Sequence, residues 1–226
     1  MEQKRYKIIY EDDYLIVVDK PAGMLVIPTP KKETNTLTTI LNKELDSRGI
    51  EANAYPCHRI DRDTSGLIIY AKGKATQRLI MEKFRSRDIK KAYIAFVQGR
   101  VKKDFDTIKT SIYNRKKGRK EEAVTAYRVL QRRNGYTVIE AEPVTGRTNQ
   151  IRIHMKGIGH PLVGESVYAF RKDYALKFKR AALHAARLEF THPKGGHPIV
   201  LESPLPADMV NFLASTDNRQ EARRVK

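Results

Sequence analysis

Residues 58–66, His-Arg-Ile-Asp-Arg-Asp-Thr-Ser-Gly, crowd two carboxylates among two arginines and a histidine, then run straight into the apolar Leu67-Ile68-Ile69. A strand entering a core would carry this charged loop at its mouth, and catalytic groups are commonly mounted that way on a rigid frame. The guanidinium groups of Arg59 and Arg62 favour an ionised Asp61, which suits a nucleophile or general base better than a general acid. The same residues also satisfy a salt-bridged turn in which Asp63 and Thr64 cap backbone groups, and spacing alone does not choose between the two. A second charged segment, residues 146–154, reads Gly-Arg-Thr-Asn-Gln-Ile-Arg-Ile-His. There Thr148 is placed to cap a helix, and Arg147 and Arg152 to face an anion or a partner carboxylate.

The elements that must position these loops follow from hydrophobic period and punctuation. Residues 6–10, 14–19 and 23–27 have strand character, with Pro21-Ala22-Gly23 as a turn. Leu37, Ile40, Leu41 and Leu45 share one helical face in residues 36–48, with Gly49 as the stop. Residues 66–71 read as a buried strand, 74–85 as a helix and 91–98 as a strand with alternating faces. Asn134-Gly135 between residues 124–130 and 136–141 is a strong hairpin signal and implies antiparallel pairing. Ile151, Met155 and Ile158 recur at helical spacing, residues 183–191 are strand-like, and Met209, Val210 and Leu213 mark a closing helix. Strands and helices mix without strict alternation, which predicts an α+β fold with a mixed, largely antiparallel central sheet and flanking helices. No linker separates two domains, so residues 1–214 are expected to form a single domain, followed by a polar, frayed basic tail at 215–226.

Composition narrows the function. The 226 residues carry 44 Lys plus Arg against 26 Asp plus Glu, a formal net charge of +18, with 40% hydrophobic residues. That hydrophobic fraction supports a folded core, and the charge favours a polyanionic partner, with nucleic acid ahead of an anionic membrane surface. Basic residues cluster at Lys102-Lys103, at 115–120, at Arg171-Lys172, at 177–180 and at 223–226. No apolar run approaches a membrane span and no signal-like stretch opens the chain, so a cytoplasmic protein is expected. The single cysteine, Cys57, excludes an internal disulfide and a paired-thiolate zinc site, and its chain neighbour His58 would point to the opposite face of a strand, so a small buried side chain is expected. Neither the spacing of a phosphate-binding loop nor the signature of a zinc deaminase is present. His192 and His197 give only a weak metal signal. Neither a metal nor an organic cofactor is expected.

At 58–67, HRIDRDTSGL closely resembles the signature of the RluA-type RNA pseudouridine synthases, whose usual form reads HRLDRDTSGL. Four further segments agree in order and approximate spacing: YEDDYLIVVDKPAGMLV at 10–26, KKAYIAFVQG at 90–99, GRTNQIRIHMKGIGHPLVGESVYA at 146–169 and LHAARLEFTHP at 183–193. The resemblance spans residues 6–206 and implies a catalytic cleft in the pseudouridine synthase fold. It implies that Asp61 is the catalytic aspartate, attacking or deprotonating the target nucleoside while the uracil N1 to ribose C1′ bond is cleaved. Arg59 would enter the RNA stack where the target base has been flipped out. Tyr93 would stack on uracil and help remove the C5 proton, with Ala95 and Val97 on the same strand face leaving room for a base, although a core aromatic is the plainer reading of that residue alone. Arg152 would pair with the aspartate, and Arg147 would read phosphate or the same pocket. Leu183 serves equally as pocket wall or as core.

The partner implied is RNA, ribosomal or transfer, bound by a monomer without an obligatory protein partner. Arg62 and the clustered cations Lys116, Lys117, Arg119 and Lys120 are expected to contact it. Asn149 stands where the family commonly has histidine, putting an amide in place of any hydrogen bond from that imidazole, and activity is expected to be retained. Nothing resembling the small RNA-binding module found upstream in some relatives precedes Tyr6, which gives substrate choice to the catalytic domain, including the basic insert at 109–122. Two other functions remain open to a chain of this pattern: a non-catalytic RNA-binding protein or chaperone on the same fold, and a hydrolytic glycosidase using Asp61 and Asp63 as paired carboxylates.

Overall fold

In the computed structural model, residues 6–31, 33–169 and 176–224 are described. They form two compact units, one of Met1–Lys91 with Ala185–Ser203 and the other of Ala92–His184 with Pro204–Lys226. In the first unit, β1 (Lys7–Glu11), β2 (Leu15–Lys20), β4 (Ser65–Lys72) and β9 (Leu183–Thr191) lie side by side in that order. The short β3 (Ala54–Pro56) pairs with β4, and β10 (Pro198–Glu202) with β9. Leu15, Val17, Leu67, Ile69 and Ala71 bury one face of β2 and β4 with Ile80 of helix α2 (Lys74–Ser86). Ile16, Val18, Ile68 and Tyr70 are equally buried. On that second face the Tyr70 hydroxyl meets Thr38 of α1 (Leu37–Ser47) at 3.1 Å. A sheet covered on both sides explains why its strands are continuous apolar runs.

In the second unit, β5 (Lys90–Gln98), β8 (Tyr136–Pro143), β7 (Arg119–Arg133) and β6 (Phe105–Asn114) follow one another across the sheet. Alternation divides β5 between two cores. Ala95 and Val97 pack with Ile151 and Met155 of α3 (Gln150–Gly157), while Ile94 and Phe96 pack with Met209 and Phe212 of α4 (Ala207–Arg224). The β1–β2, β2–β4, β5–β8, β6–β7 and β7–β8 ladders are all antiparallel. The molecule is therefore an α+β protein built on a mostly antiparallel sheet with flanking helices.

Several expectations need revision. Residues 23–27 form no strand; the carbonyls of Leu25 and Val26 instead accept the first free backbone N–H groups of α1, at 2.8 and 3.1 Å. Such a helix end needs acceptors, and the extended segment supplies them. Thr36 caps α1, accepting from Thr39 N. The cap of α3, in contrast, is Asn149, not Thr148, in a left-handed conformation whose side chain makes no capping bond. The insert at 109–122 is a β-hairpin, and α4 continues to Arg224 through most of the stretch read as a frayed tail. Arg171-Lys172 and Val225-Lys226 lie outside the described residues.

Candidate functional site

The charged loop of the first unit is fixed at several points before Asp61 enters any chemistry. At its start, Cys57 N donates to Ile69 O at 2.9 Å, and His58 Nε2 accepts from Ile69 N at 3.0 Å. The His58 ring also lies 4.9 Å from Phe84 of α2. Burial and the nearby Lys91 push the His58 pKa down to about 3, so the imidazole is neutral and holds the loop as an acceptor. Burial alone pushes the Cys57 thiol up to about 12, leaving it inert, as its position predicted. Ile60 is buried, Asp61 half-buried, and Thr64 N donates to Asp61 O at 3.1 Å to close a turn whose exit is the buried Thr64-Ser65.

Lys20 is the tether the sequence reading missed. Fully buried at the end of β2, its ammonium donates to Pro21 O and Met24 O at 2.8 Å and to Arg62 O at 2.9 Å. Gly23 N also donates to Arg62 O, and Arg62 Nε returns a bond to Gly23 O at 3.1 Å. The backbone beside Asp61 is thus bound to the 20–24 turn. The signal was a lysine closing the otherwise apolar Leu15-Ile16-Val17-Val18. Gly66 fixes the far end: at φ +111°, a Cβ there would stand 2.2 Å from Ala185 O. Arg59 is exposed on the loop and Arg62 exposed beside it.

In the second unit, Tyr93 is half-buried on β5 opposite Ala141 and packs on the apolar cluster that holds Ala95, Val97 and Leu183. Leu183 is a core residue of that cluster, 4% exposed. Arg152 projects from α3 into a built socket. Its Nε and one terminal nitrogen donate to the two oxygens of Glu165 at 2.8 and 2.7 Å, and its other terminal nitrogen donates to Asn149 Oδ1 at 3.2 Å. Its guanidinium lies 5.2 Å from the centre of the Tyr168 ring, whose hydroxyl accepts from Asn149 Nδ2 at 2.7 Å. The Glu165 side chain is 1% exposed and also accepts from the backbone N–H groups of Ser166, Val167 and Tyr168. Burial pushes its pKa up, but the Arg152 guanidinium and these N–H groups outweigh it and hold the carboxyl below the usual range. Asn149 is therefore a structural bridge as well as the cap: its left-handed backbone suits asparagine, and its amide joins Arg152 to Tyr168.

The remaining expected RNA contacts divide. Arg147 is held inside the second unit, pairing with Glu121 Oε2 and donating to Glu122 O, both at 2.9 Å. Lys117 pairs with Glu121 at 2.7 Å, and Arg119 lies 4.0 Å from the same carboxylate. Lys116 and Lys120 are exposed and have no side-chain partner among the described residues. In the 177–180 cluster, Arg180 is structural, pairing with Asp208 of α4 and donating to Ala181 O and Leu183 O. Among the described residues no group of His, Cys, Asp and Glu side chains could hold a metal ion, and no helix is long and apolar enough to cross a membrane.

Residues 14–157 match the RNA pseudouridylate synthase family. A Bacillus subtilis (strain 168) protein named uncharacterized RNA pseudouridine synthase YlyB is 39% identical over 217 residues, which span 91% of this chain and 71% of that protein. The ribosomal large subunit pseudouridine synthase D of Nitrosomonas europaea is 37% identical over 230 residues, spanning 94% of this chain and 65% of its own length. In fold, human RNA pseudouridylate synthase domain containing 4 is similar with a TM-score of 0.78 at 23% identity, covering 92% of both chains. The matched span carries both charged loops, the tethered 58–66 turn and the start of α3, and the chain belongs to the RNA pseudouridine synthase family, enzymes that isomerise uridine in RNA to pseudouridine.

Proposed function

We propose that the chain isomerises a uridine of structured RNA, with ribosomal RNA favoured over transfer RNA, using Asp61 as the catalytic carboxylate on a base flipped out of its stack. The observation that carries this reading is the immobilised turn at 61–64, held by Lys20, Gly23 and the fit of Gly66 under Ala185, because a catalytic carboxylate gains from preorganisation. Relatives named for the large ribosomal subunit support the choice of RNA. In the reaction the uracil N1 to ribose C1′ bond breaks, the C5 to C1′ bond forms, N1 gains a proton and C5 loses one. Tyr93 is the residue we assign to the uracil ring and its C5 proton, Arg152 to the aspartate, and Arg59 to the gap left in the RNA stack. Extrusion costs a few kcal/mol of stacking, which inserted side chains and phosphate contacts offset. Residues 1–214 act as one catalytic domain, as a monomer in the cytoplasm.

The test is tritium release from ribosomal and transfer RNA transcripts labelled at uridine C5, with wild type and Asp61→Asn side by side. Release by wild type and none by Asp61→Asn is the expected outcome. Equal release by both sinks the assignment of Asp61, and absence of release from every transcript with RNA binding intact favours a non-catalytic RNA-binding protein.

A further inference from the structure

We infer that the tip of the β6–β7 hairpin docks an unpaired segment of the RNA substrate, with the Tyr113 ring stacking on a base and Lys116 and Lys120 taking the adjacent phosphates. This rests on the RNA reading above and adds to it a surface, an RNA conformation and a residue that selects it. β6 ends its sheet, and its side chains alternate between two environments. Ile108 and Ile112 are buried, and Thr110 Oγ1 meets His154 of α3 at 3.0 Å. Phe105, Thr107, Lys109, Ser111 and Tyr113 face solvent. Tyr113 is 58% exposed and stands directly across from Lys120.

The tip is ordered rather than loose. Asn114 Oδ1 accepts from the backbone N–H groups of Lys116 and Lys117, and Gly118 takes the left-handed conformation, φ +63°, that closes the four-residue loop. Glu121 then gathers Lys117, the Asn114 amide and Arg147. The Lys117 and Asn114 bonds lead in pulling its pKa down to about 2, so it stays charged. That single carboxylate occupies Lys117 and Arg147, while Lys120 across from Tyr113 and Arg115 and Lys116 in the loop that follows it are exposed. Cations beside an outward-facing aromatic form the platform that single strands use, whereas a duplex hides the base faces that such a ring needs.

The same strand face carries its own control. Phe105 is 79% exposed, but it lies between Asp104 and Asp106, opposite an Arg128 that pairs with Glu140 at 2.7 Å. Asp104 pairs with Arg132 and Asp106 with Lys103, so the cations beside this ring are committed to carboxylates, and exposure alone does not make a platform.

The experiment is fluorescence anisotropy of the intact chain with a short fluorescein-labelled unpaired RNA and with a duplex RNA of equal length, comparing wild type, Tyr113→Leu, Tyr113→Phe and Phe105→Leu. Tyr113→Leu should weaken the unpaired RNA by roughly 5- to 100-fold. Tyr113→Phe and Phe105→Leu should bind it like wild type, and the duplex should bind all four alike. Unchanged affinity in Tyr113→Leu, an equal loss for the duplex, or an equal loss in Phe105→Leu overturns the inference. Binding is read without turnover, so its failure leaves tritium release untouched, and loss of tritium release leaves the binding result standing.

Discussion

Two buried charges each satisfy several partners at once: Lys20 ties down the backbone next to Asp61, and Glu165 holds Arg152. Replacing the fully buried Lys20 ammonium by an isosteric thioether removes the donor of Pro21 O and Met24 O and leaves Arg62 O with Gly23 N alone. Lys20→Met should therefore cost about 1–3 kcal/mol in urea denaturation and lower kcat through the loosened 61–64 turn. Unchanged stability would show that water replaces the ammonium. Glu165→Gln removes the carboxylate charge that faces the Arg152 guanidinium, 12% exposed, and should cost about 3–5 kcal/mol. The pH dependence has a definite sign. Because the folded carboxyl titrates below the unfolded one, its contribution is complete above about pH 4.5 and disappears as pH falls through the folded value. Melting temperature against pH should accordingly be flatter below about pH 4.5 in Glu165→Gln than in wild type, and parallel curves would contradict the assignment.

Elements act here as clamps for loops. β4 receives β3 at one end of its length and carries at the other the turn that bears Asp61, and its glycine is a steric requirement. Gly66→Ala would drive a methyl into the Ala185 carbonyl at 2.2 Å, in a backbone conformation that side chains rarely adopt. The strands must separate locally, so the expected outcome is a loss of about 2 kcal/mol or more in stability together with most of the activity. A thermal melt that matches wild type would refute this. α3 is the corresponding clamp in the second unit. Gln150 and His154 fasten it to Thr125 of β7, at 2.9 Å in each case, which sets the direction of Arg152. His154 is kept neutral by burial, as this pair of hydroxyl partners allows.

At the scale of the whole molecule, a net charge of +18 predicts a large phosphate contribution to RNA affinity. The logarithm of the binding constant should fall steeply and linearly with the logarithm of salt concentration, measured with the labelled transcripts. A flat dependence would contradict the electrostatic reading. Not every cation is expected to contribute. Arg180, Arg147 and Lys117 are committed to Asp208 and Glu121, so the slope should report fewer phosphates than the count of Lys and Arg implies.

The α+β class, the helices at 36–48 and 74–85, the Asn134-Gly135 hairpin and the strand at 183–191 were legible in the chain, because period and turn chemistry are local. The charged segment at 58–66 stood out too, since an ordered motif needs no coordinates to be seen, and the structure forms it into a tethered turn. Helix capping at α3 was not legible. Asn149 and Thr148 are both acceptable caps by type, and in the structure Asn149 takes the cap with its amide bridging Arg152 and Tyr168. Residues 23–27 have strand character, yet their carbonyls were needed at the start of α1. Lys20 and Glu165 resemble ordinary surface charges in the sequence, and only the folded chain shows them buried among three carbonyls and beside a guanidinium. Local residue preferences decided the elements and the motif, while long-range hydrogen bonds between segments far apart in the chain decided which charges hold the loops still.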